Sequence, residues 1–398
     1  MAIYNNEYIK ELLVKHKLND QAKQFEDEKL ESFVFSEENN EVIQKVFTEL
    51  RMIFARVFKL EQICFLFGNG CSIYAGSKDT KDLNLRKFTN NQIPDEIAEF
   101  ISNIENKSME EQFNSLIAAQ SYFQVQSPKN EEIISDLIGE LKKELLTEYV
   151  NSLNYNALNF HDQFFRKLRS YNYLEKLNLF TTNYDLALEY TMDKLGIDYS
   201  DGFTGFINRK FNALSLSQTC KPKLVKIHGS TNWFWDASSG YIKEVQPQFK
   251  NGNFTLPKTQ SKLDNVIIYP SRQKLYQTYN SPYSELMRYM LDCFSRKSNV
   301  IIVIGYKYGD EHINEILYKS IANPHNVFFF LDFDNVDNCD FMNKMKVLSN
   351  ELENINILQG HILGNFEYFV KYLLPAKEEK NDEEKLVELL RKITDNKE

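Results

Sequence analysis

The sequence predicts an α/β chain built on a doubly wound parallel sheet, and three observations carry that expectation. Short apolar runs recur through the middle of the chain, each stopping at small or polar residues. The runs are continuous and rich in β-branched or aromatic residues, the mark of strands buried on both faces. Helical periodicity follows several of them, so strand, polar turn and helix repeat.

Taken in order, residues 1–60 read as an acidic N-terminal helical segment. Its clearest stretch, Asn40 to Leu60, places Ile43, Val46, Phe47, Leu50, Ile53, Phe54 and Val57 on one apolar stripe. Such a stripe packs on the main domain or on another subunit. The main domain is expected over 61–375. Ile63–Phe67 stops at Gly68, Leu177–Phe180 at Thr181-Thr182-Asn183, and Leu224–Ile227 at His228-Gly229. Val266–Tyr269 stops at Pro270, Val300–Ile304 at Gly305, and Val327–Leu331 at Asp332. Helical patterns follow Asp185 (Leu188, Met192, Leu195) and Asp310 (Ile313, Ile316, Leu317, Ile321). Residues 91–176 read as a helical insertion over the sheet's carboxyl edge, and 236–263 as a polar hairpin insertion. The tail 376–398 is charged and poor in aromatics, a peripheral helix or a disordered end.

Composition narrows the function classes. With 42 % hydrophobic residues, 30 Phe and 22 Tyr, the 398-residue chain can fill a large core, so a disordered chain is excluded. A net charge of −9 makes it a poor unaided binder of a phosphate backbone, and no direct nucleic-acid contact is expected. Five cysteines without any C-x-x-C spacing argue for free thiols in a reducing cytosol rather than a zinc ribbon. No secretory signal opens the chain, and no apolar stretch approaches the ~18 residues of a membrane span. A cytoplasmic protein without membrane contact is expected.

In an open α/β sheet, ligands bind beyond the carboxyl ends of the strands, so the residues just after each run are the candidates. Gly68-Asn69-Gly70-Cys71-Ser72 offers close backbone approach, exposed amides suited to phosphate oxygens, and a hydroxyl; it is also compatible with a plain tight turn. Thr181-Thr182-Asn183-Tyr184-Asp185 offers a carboxamide that both donates and accepts, although Asn183 or Asp185 also suits a helix N-cap. His228-Gly229-Ser230 offers an imidazole able to act as general base near neutral pH; a lone histidine is also often structural. Gly305-Tyr306-Lys307-Tyr308-Gly309-Asp310 suits an adenosine wall, or a glycine-rich turn with Asp310 as helix N-cap.

In this order the motifs resemble the sirtuin family: a G-A-G-x-S loop at Gly68–Ser72, T-x-N-x-D at Thr181–Asp185, and the His-Gly pair at His228-Gly229. The resemblance spans roughly residues 60–335 and implies a Rossmann-like fold that binds NAD+. It implies Asn183 and His228 as catalytic residues. Gly68, Asn69, Gly70, Ser72, Thr182, Asp185, Gly305 and Tyr308 would hold the dinucleotide. The stretches TTNYDLALEY, DGFTGF, KIHGSTNWFW, VIIYPSRQKLY and IGYKYGDEHINEIL are similar to the sirtuin-like proteins of bacterial anti-phage defence, above all the subunit that pairs with a HerA-type ATPase. That subgroup hydrolyses NAD+ in abortive infection, which implies a homo-oligomer, an ATPase partner, and no cofactor beyond NAD+ as substrate. The chain departs from the deacylase pattern in three places. Asn69 stands where Ala is usual, AGSKDTKDLNL has no G-I-P-x-F-R, and the four-cysteine zinc module is missing.

The expected reaction is cleavage of the nicotinamide–ribose bond through an oxocarbenium-like state. Nicotinamide leaves neutral, so no general acid is needed. No histidine pair has metal-ligand spacing, and no metal is expected. Two other readings share the pocket: an NAD-dependent protein deacylase, and a non-catalytic nucleotide sensor or assembly subunit.

Overall fold

The computed structural model of the protein describes residues 3–4, 40–78, 93–250, 253–255, 264–269, 278–296, 298–333 and 339–375. The strands are β1 (Ile3–Tyr4), β2 (Gln62–Phe67), β3 (Leu177–Thr181), β4 (Phe203–Thr204), β5 (Arg209–Phe211), β6 (Lys223–Lys226) and β7 (Gly229–Asp236). They continue as β8 (Tyr241–Glu244), β9 (Gln248–Lys250), β10 (Asn253–Thr255), β11 (Asp264–Ile267), β12 (Asn299–Ile304), β13 (Val327–Asp332) and β14 (Ile355–Gln359). The main sheet has the order β1-β14-β13-β12-β2-β3-β6, and every neighbouring pair is parallel.

From β2 the chain steps outward through β3 to β6, then returns to the other side of β2 for β12, β13 and β14. This is the doubly wound, Rossmann-like α/β order, and its reversal lies between β2 and β12. The continuous apolar runs follow directly. Ile63, Phe65 and Phe67 face one core together with Val300, Ile302 and Ile304. Cys64 and Leu66 face the other with Ile301 and Val303. Both faces are dry, so alternation has nothing to mark.

The first core is closed by the helices Asn40–Val57 and Asn159–Ser170 and by the helical turns at 366–373; the second by Tyr283–Arg296, Glu311–Ile321 and Asp340–Glu351. The apolar stripe of the helix Asn40–Val57 is spent within the chain. Phe47, Leu50 and Phe54 are buried, and the Phe54 ring lies 4.6 Å from Phe329 and 5.3 Å from Phe369.

The described part of residues 91–176 contains four α-helices. The first three, Asp95–Ile104, Met109–Gln126 and Pro128–Ser152, share a core of their own. The second of these starts at a capping box, with Ser108 and Glu111 satisfying each other's backbone amides. The fourth, Asn159–Ser170, belongs instead to the main core. The tail 376–398 lies outside the described residues.

Three readings need correction. Within 1–60, read as helical, Ile3–Tyr4 is a strand on the edge of the main sheet, paired with β14. The run Val266–Tyr269 is not in the parallel sheet: β11 pairs antiparallel with β7 in a second sheet, ordered β11-β7-β8-β5-β4. It is continuous because both its faces are covered, Ile267 and Tyr269 by the helical insertion and Val266 and Ile268 by the second core. Burial on two faces, not parallel pairing, is what such a run reports. The part of 236–263 that is described belongs to β8 of this sheet and to the hairpin of β9 and β10.

If the N-terminal helix is integral to the domain, Phe54→Ala should cost about 3–5 kcal/mol, as for a large aromatic lost from a core. Met52→Ala, at a half-exposed position, should change little. Urea denaturation compares the two; a Phe54→Ala loss below about 1 kcal/mol would mean that the helix only rests on the sheet.

Candidate active site at the carboxyl edge of the sheet

The ends of β13, β12, β2, β3 and β6 lie side by side, so the loops that follow them share one edge. At the reversal between β2 and β12, two glycine loops interlock. The Gly68 amide donates to Ile304 O at 3.0 Å and the Gly70 amide to Gly305 O at 2.9 Å. A Cβ at Gly68 would lie 2.3 Å from Gly305 O, and one at Gly70 2.7 Å from Gly305 Cα. Gly305 itself has φ +67°, a conformation that favours glycine. These glycines are required by contact between the two loops.

Beside them lies a cavity of about 350 Å³, bordered among others by Gly70, Tyr74, Gly305, Tyr308, Asp332 and Phe366. It sits at the topological switch point, where open α/β sheets bind ligands. Asp332 ends β13 and accepts from Gln359 Nε2 at 3.3 Å. Read from sequence it only marked a strand end; in the fold it lines this cavity together with Glu367, an acidic group of a kind suited to ribose hydroxyls. Tyr308 has φ 56° and stacks on Phe341, with ring centroids 5.4 Å apart. The Asn69 side chain is engaged within its own loop, donating to Lys78 O at 3.0 Å and accepting from Ser77 Oγ at 2.6 Å.

The loop after β3 is bound to the loop after β2. The Thr182 amide donates to Phe67 O at 3.0 Å, and Asn183 Nδ2 donates to the buried Ser72 Oγ at 3.4 Å. Asn183 does not cap the following helix with its side chain; its backbone amide donates to Thr181 Oγ1 at 3.0 Å. The carboxamide oxygen of Asn183 is buried and makes no hydrogen bond among the described residues. Asp185 does serve the helix, accepting from the Ala187 amide at 3.0 Å, and it also accepts from Ser72. Ser72 therefore joins the carboxamide to the carboxylate.

Beneath this loop lies Lys226, which the sequence reading passed over. Its ammonium is 2 % exposed and donates to the carbonyls of Tyr184 and Asp185 and to Glu189 Oε1, the last at 2.8 Å. Burial pushes the carboxyl groups of Asp185 and Glu189 above their ordinary range, and Lys226 opposes that rise. Above the loop, Tyr184 donates to Ile268 O and packs into the core of the helical insertion.

His228 follows β6 and is 4 % exposed. Its Nε2 lies 3.3 Å from His312 Nε2 and 3.9 Å from Asp310 Oδ2. Asp310 occupies the N-cap position of the helix Glu311–Ile321, yet its side chain makes no capping bond. Tyr306 holds it in place: the Asp310 amide donates to Tyr306 Oη at 3.1 Å, and that hydroxyl donates to Asp310 O at 3.3 Å. His228 and His312 are 84 residues apart, so no local spacing could reveal their pairing. Asn183 and His228 follow adjacent strands, each two residues beyond the Thr181–Lys226 pair that ends the β3–β6 ladder.

Residues 177–357 match the SIR2-like domain. That span includes the loops of Asn183, His228 and Tyr308; the Gly68–Ser72 loop lies before it. No curated protein matches the chain. Among solved structures, one concerned with sirtuin substrate affinity is 10 % identical, with 81 % of this chain and 97 % of the other covered and a TM-score of 0.43. A Sir2 complex with a p53 peptide and NAD+ is 10 % identical, covering 81 % and 95 %, at 0.38. A Sir2 homologue variant with 2′-O-acetyl ADP-ribose is 12 % identical, covering 82 % and 98 %, at 0.39. Among the described residues, no helix is long and apolar enough to cross a membrane.

Lys226→Met should destabilise the protein by about 3–5 kcal/mol, since it leaves buried carboxylates without their cation. Asp185 and Glu189 have raised pKa values in the folded state, so each loses folding stability as pH climbs from its unfolded to its folded value. Removing Lys226 raises both further. The variant's deficit should thus be larger at pH 8 than at pH 5. Chemical denaturation at the two pH values measures this, and an equal deficit at both would mean that Lys226 acts by packing alone.

Proposed function

We propose that the chain is an NAD+ hydrolase that releases nicotinamide and ADP-ribose. The observation that carries this reading is the placement, just after the neighbouring strands β3 and β6, of a carboxamide whose buried oxygen has no partner among the described residues and of a buried imidazole backed by a carboxylate. The 350 Å³ cavity at the interlocked glycine loops receives the dinucleotide, with the close backbone at Gly70 and Gly305 forming its wall and Asp332 toward a ribose. Asn183, fixed through Ser72, orients the attacking water or the nicotinamide ribose.

As the C1′–N bond breaks, its electron pair leaves with nicotinamide and discharges the pyridinium ring. Water oxygen bonds to C1′ and loses a proton to His228, whose positive charge Asp310 balances. Positioning of this kind supplies on the order of 7–11 kcal/mol in favourable cases, and a general base about 10²–10⁴-fold more. The deacylase reading has less support. It requires a four-cysteine zinc module, and here, among the described residues, only Cys64 and Cys293 meet, with their sulfurs 3.8 Å apart, while Cys71 is buried in the other core and Cys220 is exposed.

The resemblance to defence proteins extends the proposal to an effector of abortive infection, gated within a homo-oligomer by a HerA-type ATPase. An ungated hydrolase would exhaust the NAD+ of the cell that makes it. The helical insertion supports such gating, because its core reaches Tyr184, the neighbour of Asn183.

With the ATPase partner present, Asn183→Ala should abolish nicotinamide release while melting like wild type. His228→Ala should lower turnover at least ~10²-fold with a smaller change in NAD+ affinity. Wild-type turnover in a folded Asn183→Ala protein would reduce Asn183 to a structural residue. The lone wild-type chain should be weak or silent across a range of concentrations. Full, concentration-independent activity without a partner would defeat the gating reading and leave the hydrolase reading intact.

A further inference from the structure

We propose that His228, Asp310 and His312 form a binding site for a divalent transition-metal ion of the Zn2+ class. The three side chains offer Nε2, a carboxylate oxygen and Nε2, all within 4.8 Å of one another. Two nitrogens bound to a tetrahedral zinc at about 2.0–2.1 Å stand roughly 3.3–3.4 Å apart, and the imidazole nitrogens here are separated by 3.3 Å. The carboxylate oxygen, 3.9 Å from His228 Nε2, closes on that centre by a small rotation of the Asp310 side chain.

The chemistry of the set is selective. Two imidazoles and one carboxylate suit Zn2+ and its neighbours rather than Mg2+ or Ca2+, which prefer all-oxygen shells. The ligands are 4 %, 8 % and 9 % exposed, so the cluster is a buried one and not a chance meeting of surface acids. Its backbone is fixed: Ile268 N donates to His228 O at 2.8 Å, and Tyr306 Oη brackets Asp310. Three protein ligands leave a fourth position open, as in sites that exchange water or ligand.

The same Nε2 of His228 cannot hold a metal and accept a proton. Under the hydrolase reading, on which this consequence alone rests, the metal-loaded protein is the inactive form and the metal is a regulator. Binding itself is independent of whether NAD+ is cleaved.

The test titrates Co2+ into the full chain, stripped with chelator and dialysed, and follows the visible ligand-field bands and the bound metal per chain. Wild type should take up one Co2+ with nitrogen/oxygen-type bands, displaced by Zn2+. His312→Ala and Asp310→Asn should each weaken binding at least about 100-fold, the upper end of what loss of a supporting partner costs. Circular dichroism checks that each variant is folded; Asp310→Asn keeps the shape of the side chain and decides the matter if His312→Ala does not fold. Failure of wild type to bind Co2+ stoichiometrically would overturn the site, as would equal binding by a folded variant. A wild type that binds Co2+ but, stripped of metal and supplied with the ATPase partner, never releases nicotinamide would overturn the hydrolase reading and leave the site standing.

Discussion

The contact between Gly68 and Gly305 is the constraint on which the rest of the site depends. The sheet reverses its winding between β2 and β12, so the loops leaving these strands must pass each other at backbone distance. There is no room for a side chain: a Cβ at Gly68 would lie 2.3 Å from one carbonyl oxygen. In exchange, the loops become a continuous hydrogen-bonded surface, reinforced by Cys71 Sγ on Ile304 O at 3.3 Å. Burial pushes the Cys71 thiol well above its ordinary pKa, so this sulfur is a neutral packing group and a poor nucleophile.

From that lock the other positions follow outward. Ser72 ends the first loop and reaches across to Asn183 and Asp185 on the loop after β3. Lys226, on β6, rises beneath the same loop and neutralises its buried carboxylates. Two residues later the chain leaves the main sheet at His228, because Gly229 with φ +84° turns it into the second sheet, where a Cβ would strike Val266 O at 2.1 Å. The turn that builds the antiparallel sheet is thus the turn that places the imidazole.

Much of this was legible in the residues. The parallel strands announced themselves as unbroken apolar runs, and the polar residues closing them are the ones that meet at the edge. The failures have physical causes. The strand Ile355–Gln359 was overlooked because Asn356 and Gln359 interrupt it, each satisfied across the ladder, by Phe328 O and Asp332 respectively. Val266–Tyr269 misled because a strand covered by helices on one side and a core on the other looks the same in either pairing. His312 was lost inside an ordinary amphipathic helix; its partner lies in the turn after β6, and only the fold joins them. Lys226 passed unremarked inside the run Leu224–Ile227, although its ammonium is among the most buried polar groups of the described residues.

Asn183 is held from two independent directions. Below, the Lys226 ammonium fixes the carbonyls of Tyr184 and Asp185. Above, Tyr184 is clamped to Ile268 and buried among the helices of the insertion. A loop tied only to the sheet could shift its carboxamide with little effect elsewhere, and a loop tied only to the insertion would follow that layer freely. Tied to both, it has little play. Catalytic groups need placement within about 0.5 Å, and a supporting shell of this kind is how a loop reaches it. The same arrangement makes the three-helix layer and the candidate catalytic residue mechanically continuous. Whatever grips that layer also acts, through a single tyrosine, one residue away from Asn183.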